Sequence, residues 1–430
     1  MRGYQTSSPT QHLTAASVLI LASVVTSTWT GVKAFGINVC DLLFVVAGVL
    51  VLIESGLGGR KLLLRWWMVM PSFAALFIFA FDVIARGSTS NPVVAATTEY
   101  VSGHSAFGDQ EGGGLFAARV AIATLLVAIL VGSELATFGR ERGIAIAKWW
   151  SLGIALSSLL AVTDSLGLTS ASDFTFHQLS EGRALGLAFQ PNSLAQTIAI
   201  GLPVLAYFAS TARTPVHRAA WILLIGFSVT ALVLTNSRGG LIVGLIALLL
   251  CTVIMAARGG RRGKLALFGL AIPSALGVFL LADWLTDNTR LGGGGGASLS
   301  DAGRWELVDA GVTAFLSNPI LGAGFGNGAG VLVPLLLASS GGVVLLLGYY
   351  SFIFATYFAV FRSARSDYFL CLAFISISAL LAMGLFNNSV NERYNFVIVA
   401  VAATWVLLGE QPLPRGQAAR SQRGMVVQRL

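Results

Sequence analysis

Charge is what this chain has least of. Only 11% of its 430 residues are Asp, Glu, Lys or Arg, and 55% are hydrophobic, whereas soluble domains carry about a quarter charged residues. That ratio, with a mean hydropathy of +0.79, excludes an ordinary soluble protein. Cysteine is scarce as well. Cys40, Cys251 and Cys371 lie inside apolar stretches with no CxxC spacing, so neither a disulfide framework nor a zinc site is supported. Apolar and polar residues do not alternate in roughly ten-residue segments, which rules out a membrane β-barrel. The net charge of +8 is dispersed in short clusters between apolar runs, a pattern that orients a membrane protein and does not bind nucleic acid.

What the chain does have is long apolar runs, 49 glycines and 26 phenylalanines. Glycine is commoner in spanning helices than in soluble ones, and a helix crosses the hydrocarbon core in about 20 residues. Windows of about 19 residues place spans near 12–30, 37–54, 66–84, 115–137, 149–163, 191–210, 219–235, 240–257, 265–282, 331–360, 368–386 and 394–408. The expected fold is therefore all-α, a polytopic integral membrane protein with about twelve transmembrane helices. The first span follows Arg2 and precedes the next within a short loop without a clear cleavage site, so it is read as a retained helix.

Sorting the 27 Lys and Arg residues between alternate loops puts most of them on one side, which the positive-inside rule makes cytoplasmic, together with both termini. Lys33, Arg86, Arg119, Arg183, Arg238, Arg290, Arg304 and Arg393 fall on, or open toward, the outer side. From Arg183 onward that set contains no lysine. Arginine grips phosphate oxygens at two points and stays ionised, so such a set suits a phosphate ligand. Anchoring of helix ends at lipid head groups is the plain alternative for any one of them. The longer outer segments are 85–114, 164–190 and 283–330. In the last, Gly292–Gly296 form a hinge that no helix tolerates, and Trp305, Val308, Val312 and Phe315 recur at helical spacing, as in an amphipathic helix lying on the outer membrane face.

Spans running inward from the outer side open at Pro191-Asn192, at Asn236-Ser237-Arg238-Gly239, after Gly330 and near Arg393. Each presents a helix amino terminus, where unpaired N–H groups and the positive end of the dipole attract anions. Pro191 suits a first helical turn, and Asn236 or Ser237 can cap the next helix. With Arg183, Arg238 and Arg304 nearby, these termini predict one basic pocket fit for a lipid-linked diphosphate.

Three segments carry a family resemblance: Gly182-Arg183-Ala184-Leu185-Gly186 with Gln190-Pro191-Asn192; Thr235-Asn236-Ser237-Arg238-Gly239-Gly240; and Arg304-Trp305 with Asn318-Pro319 and Gly322-Ala323-Gly324-Phe325-Gly326. Their order and outer location resemble the O-antigen ligase and polymerase family over roughly residues 180–345. The resemblance implies a metal-independent glycosyltransferase of the GT-C type, without a cofactor, in a bacterial inner membrane. It moves a glycan from an undecaprenyl-diphosphate carrier to an acceptor hydroxyl, on a second lipid-linked glycan or on lipid A–core. By the same resemblance, Arg238 and Arg304 match arginines that hold the diphosphate and Arg183 is similar to a third. Asn192, Ser237, Arg290 and Arg393 are further substrate-binding candidates.

The chain then divides into an N-terminal transmembrane bundle (1–180), a ligase/polymerase-like catalytic region (181–410, including outer loop 283–330) and a cytoplasmic tail (411–430). One departure stands out. Ligases of the family show a His-Asn pair about eleven residues before a glycine, and counting back from Gly341 puts Gly330-Val331 at that pair. The missing histidine points toward the polymerase branch or toward another base. His177, Asp301, Glu306, Asp309 and Glu392 are the outer-side candidates, of which His177 titrates nearest neutrality and Glu306 flanks Arg304. A lipid-linked sugar flippase and a peptidoglycan-type polymerase are the rival readings. A flippase is expected to show matched polar or broken helices in both halves, and no internal repeat is evident.

Overall fold

A bilayer supplies no hydrogen bonds to the backbone, so an apolar chain of this kind satisfies its amides within helices. A computed structural model describes residues 13–34, 37–86, 113–170, 175, 182–258, 297–325 and 328–410, excepting the side chains of 113–115, 297–301 and 410. The expected span at 265–282, the glycine run, the tail 411–430, His177, Arg290 and the side chain of Asp301 lie outside the described residues.

The helices are α1 (Ala15–Thr26), α2 (Val39–Gly56), α3 (Trp66–Phe81), α4 (Gly113–Ala121), α5 (Val127–Phe138), α6 (Arg140–Ser165), α7 (Pro191–Thr211), α8 (Pro215–Leu234), α9 (Arg238–Arg258), α10 (Ala297–Ser317), α11 (Val333–Ser363), α12 (Tyr368–Met383) and α13 (Tyr394–Glu410). A short antiparallel pair, β1 (Lys33–Ala34) with β2 (Ile37–Asn38), links α1 to α2. Wider π turns extend α3 at Asp82–Arg86 and join α4 to α5 at Ile122–Leu126. Among the described residues, eight helical segments are long and apolar enough to cross a membrane, and Ala15–Thr26, Tyr368–Met383 and Tyr394–Gly409 are shorter apolar helices. This is an all-α membrane protein.

Two boundaries depart from the hydropathy windows. α6 starts at Arg140, well before the apolar window at 149, because Arg140, Glu141 and Arg142 are good helix formers at the start of the helix. α11 is broken inside: Gly341 and Gly342 leave helical geometry, Gly342 at φ +62°, a region glycine enters without strain. The freed backbone groups pair with the incoming chain, Val343 N–H donating to Pro319 O and the N–H groups of Ala323 and Gly324 donating to Ser339 O and Ser340 O. That exchange clasps the connection behind α10 against α11.

α7 is the central helix: 83% of its apolar window is buried, against 28% for α8, and it packs on α6, α8, α9 and α12. The ends of the bundle are unlike. At one end Arg60, in the α2–α3 connection, pairs with Glu54 of α2 and Glu134 of α5, Arg258 donates to Ala364 O, and Arg140 donates to Trp405 O. At the other end Gly31 N–H bonds Leu187 O, Ala184 N–H bonds Leu234 O and Val333 N–H bonds Gly384 O. The second end holds the site.

Candidate functional site

Where α8 stops, Thr235 caps it and Asn236 turns the chain in the left-handed region, φ +52°, the one non-glycine residue with positive φ among those described. Asparagine tolerates that conformation better than most residues. The turn sends Ser237 and Arg238 directly into α9, whose first turn closes as Leu241 N–H donates to Ser237 O. α7 starts beside it with Pro191 in the first turn and Gln190 as an extended N-cap whose carbonyl accepts from Ser193 and Leu194 N–H while its side chain makes no capping bond. Gly239 makes the close approach possible, since a Cβ there would lie 2.6 Å from Cβ of Phe386.

Between these two helix starts lies a cavity of about 310 Å³. Arg183, Arg238 and Arg304 all line it, with Asn192, Ser237 and Asn387 among the polar groups and Ile242, Met383 and Phe386 as an apolar wall. Arg183 is braced along one edge: Nε donates to Thr235 O at 2.8 Å and Nη2 to Asn192 Oδ1 at 2.9 Å. It therefore ties the start of α7 to the turn that positions Arg238. Hydrogen bonds from a charged donor contribute about 1.5–3 kcal/mol. Arg304 reaches in from α10, its Nη1 3.4 Å from Phe386 O. No carboxylate lines the cavity among the described residues, and the helix termini add their own positive ends.

Beneath it a buried amide network holds the floor. Asn387 Nδ2 donates to Gln196 Oε1 and Ser389 Oγ, both at 2.8 Å; Gln196 Nε2 donates to Asn395 Oδ1 at 2.9 Å; and Asn395 Nδ2 donates to Ser389 O at 2.8 Å. Asn387, Met383 and Phe386 were not foreseen from the sequence; the polar run Asn387-Asn388-Ser389 directly after an apolar span was their signal.

Other candidates lie elsewhere. Arg393 is buried and its guanidinium is engaged at Nε and Nη2 by both carboxylate oxygens of Asp41, in the first turn of α2. Burial works against its charge, but the fields of Cys40, Asp41 and Glu392 outweigh that and raise its pKa. It does not line the cavity. Glu306 and Asp309 are solvent-exposed on α10, and Glu392 sits 3.9 Å from Arg393 Nη1; none of the three lines the cavity. The exposed face of α10 carries Trp305, Val312 and Leu316, while Val308 and Phe315 turn partly inward. Gly330, at the position of the expected histidine, has φ +157°, and a Cβ there would lie 2.7 Å from Leu336 N. A side chain fits there only if the backbone moves.

Among the described residues no group of three or more His, Cys, Asp or Glu is placed to hold a metal ion. The class defined so far is a helical membrane protein with a cationic, partly apolar cavity at one end of its bundle. Residues 222–335, about a quarter of the chain, match the family model described as O-Antigen ligase, so that stretch is similar to this family. The match covers the turn at Asn236, Arg238 and Arg304. A search of curated proteins found no match.

Proposed function

We propose that the chain is a membrane glycosyltransferase that moves a glycan from an undecaprenyl-diphosphate carrier to an acceptor hydroxyl at the outer face of a bacterial inner membrane, with both termini cytoplasmic. The observation that carries the reading is the meeting of Arg183, Arg238 and Arg304, from three separate stretches of sequence, around one cavity. When the bond from anomeric carbon to diphosphate breaks, its electron pair leaves with the diphosphate, the acceptor oxygen forms the new bond and the acceptor proton is released. Charge develops on the leaving group, and guanidinium groups already in place stabilise it without reorganisation. Arg238, on the first turn of α9, adds the helix amino terminus to its own charge. Arg304 enters from a separate helix and closes the cavity from the other side, and Arg183 holds the turn that aims Arg238.

The lack of room for a histidine at Gly330 favours the polymerase branch, in which the acceptor is the sugar of a second lipid-linked glycan. The test is the material that accumulates when the gene is deleted: single lipid-linked repeats for a polymerase, full-length unattached glycan for a ligase. Complementation with wild type should clear it and complementation with Arg304→Lys should not, since lysine offers a point charge in place of a two-point grip. Donor held on the cytoplasmic leaflet would instead show a flippase and overturn the reading.

A further inference from the structure

Asn192 and Asn387 both line the cavity, and their amides are fixed in opposite senses. A guanidinium can only donate, so the Asn192 atom that meets Arg183 Nη2 at 2.9 Å is the carbonyl oxygen. Asn192 Nδ2 therefore keeps its N–H groups for a ligand. Asn387 is set by a relay of amides with a one-way backbone group at each end. At the first end the carbonyl of Ser389 can only accept, so Asn395 presents Nδ2 to it at 2.8 Å. Asn395 Oδ1 then accepts from Gln196 Nε2, and Gln196 Oε1 accepts from Asn387 Nδ2. At the other end the N–H of Asn388 can only donate, and it meets Asn387 Oδ1 at 2.9 Å. Asn387 Nδ2 also donates to Ser389 Oγ at 2.8 Å. Turning any one amide sets like groups together, and turning all three drives Asn395 Oδ1 against Ser389 O. Gln196 and Asn395 are fully buried, where such a mismatch finds no water to relieve it.

The cavity thus has two polar faces. Asn192 offers donors beside Arg183, as phosphate oxygens require. Asn387 uses both of its donors inside the protein, and its Oδ1 has one lone pair beyond the bond from Asn388. That oxygen repels a phosphate and suits a hydroxyl hydrogen. Its neighbours Met383 and Phe386 line the same cavity, and Phe386 is 39% exposed. A sugar ring matches this pairing, since it carries hydroxyls at its rim and C–H groups on its faces. The segment is braced from both sides: Asn387 N–H donates to Met383 O, and Val390 O accepts from Tyr349 Oη at 2.9 Å. We infer that Asn387 is a substrate-binding residue for the glycan, its Oδ1 accepting a hydrogen bond from a hydroxyl of the sugar bonded to the diphosphate. Gln196 and Asn395 are the positioning residues that keep its amide turned this way. The inference rests on the proposed function for the identity of the diphosphate. An amide oxygen is too weak a base to take a proton at neutral pH, so Asn387 orients the sugar and has no part in proton transfer.

The test uses the full chain in liposomes of phosphatidylethanolamine and phosphatidylglycerol. Binding is measured for the lipid-linked glycan extracted from the gene-deleted strain and for undecaprenyl diphosphate bearing no sugar, in wild type, Asn387→Ala, Gln196→Leu and Arg238→Ala. Asn387→Ala should lose about fivefold in affinity for the glycan probe, the contribution of one neutral hydrogen bond, and keep its affinity for undecaprenyl diphosphate. Gln196→Leu should show the same selectivity with a smaller loss, whereas Arg238→Ala should lose affinity for both probes. Wild-type affinity of Asn387→Ala for the glycan probe, or an equal loss for both probes, would overturn the inference alone. An equal loss for both probes in Gln196→Leu, or none, would overturn the positioning role of the relay. Binding of both probes undiminished in Arg238→Ala would overturn the cavity as a diphosphate site, and the inference with it. Independently, in wild type the glycan probe should slow amide hydrogen exchange across 383–390 beyond what undecaprenyl diphosphate does, while both probes slow it at the start of α9. Equal protection of 383–390 by the two probes would overturn the inference even if Asn387→Ala failed to fold.

Discussion

The two ends of the bundle both collect arginines and treat them in opposite ways. At the basic end Arg60 is enclosed: its Nη1 donates to Glu134 at 2.6 Å, its Nη2 to Thr14 and Ser17, and its Nε to Glu54. Arg393, although near the site in sequence, is enclosed by Asp41 in the same manner. Arg183, Arg238 and Arg304 instead face a shared cavity with no carboxylate in its described lining. Charge removed from water is tolerated when it is matched by opposite charge and filled hydrogen bonds. Arg60 and Arg393 are matched to carboxylates inside the bundle, whereas Arg183, Arg238 and Arg304 come together around one cavity, the arrangement on which the proposed diphosphate site rests.

That contrast breaks most easily at the cavity. Arg238→Ala should reduce glycan transfer by a hundredfold or more, on the order of the cost of removing one preorganised charge donor, while membrane protein level stays normal; an assay of lipid-linked and polymerised glycan beside an immunoblot measures both. Arg304→Ala should behave alike. Next comes Arg393→Ala, which should act on the fold: leaving Asp41 buried without its partner costs about 3–5 kcal/mol, read as a lowered melting temperature in detergent. Activity per folded molecule should fall far less than in Arg238→Ala, and the opposite order would erase the distinction between the two kinds of arginine. Gly330→His should destabilise the protein, since its Cβ meets Leu336 N at 2.7 Å, and should not raise activity. Smallest of all, Glu306→Gln should change transfer less than about twofold, because removing an exposed carboxylate away from the cavity disturbs neither a matched ion pair nor the developing charge.

Much of the bundle was legible because bilayer thickness sets a minimum apolar length, and that length is written directly in composition. The turn at Asn236-Ser237-Arg238 was legible too, since capping residues and a helix start are local signals. Arg183 with Asn192 was half legible: their proximity in sequence suggested a shared helix start, but the carbonyl of Thr235 that completes the brace comes from another pair of helices. Arg393 was grouped with the substrate-binding arginines because its partner Asp41 stands 352 residues away, and only packing brings them together. Met383, Phe386 and Asn387 were missed for the same reason: an apolar wall and an amide floor acquire meaning only from the helices they face. The break at Gly341-Gly342 depends on the Pro319–Gly324 backbone lying against it, which no window along one helix reveals.

The most direct measurement is the affinity of the purified, reconstituted protein for undecaprenyl diphosphate in wild type, Arg238→Ala, Arg304→Ala and Arg60→Ala. If cavity arginines bind the diphosphate and enclosed arginines do not, the first two variants lose at least tenfold while folded Arg60→Ala protein retains wild-type affinity. Equal affinity in all four proteins, or a loss confined to Arg60→Ala, would contradict the assignment of the cavity as the diphosphate site.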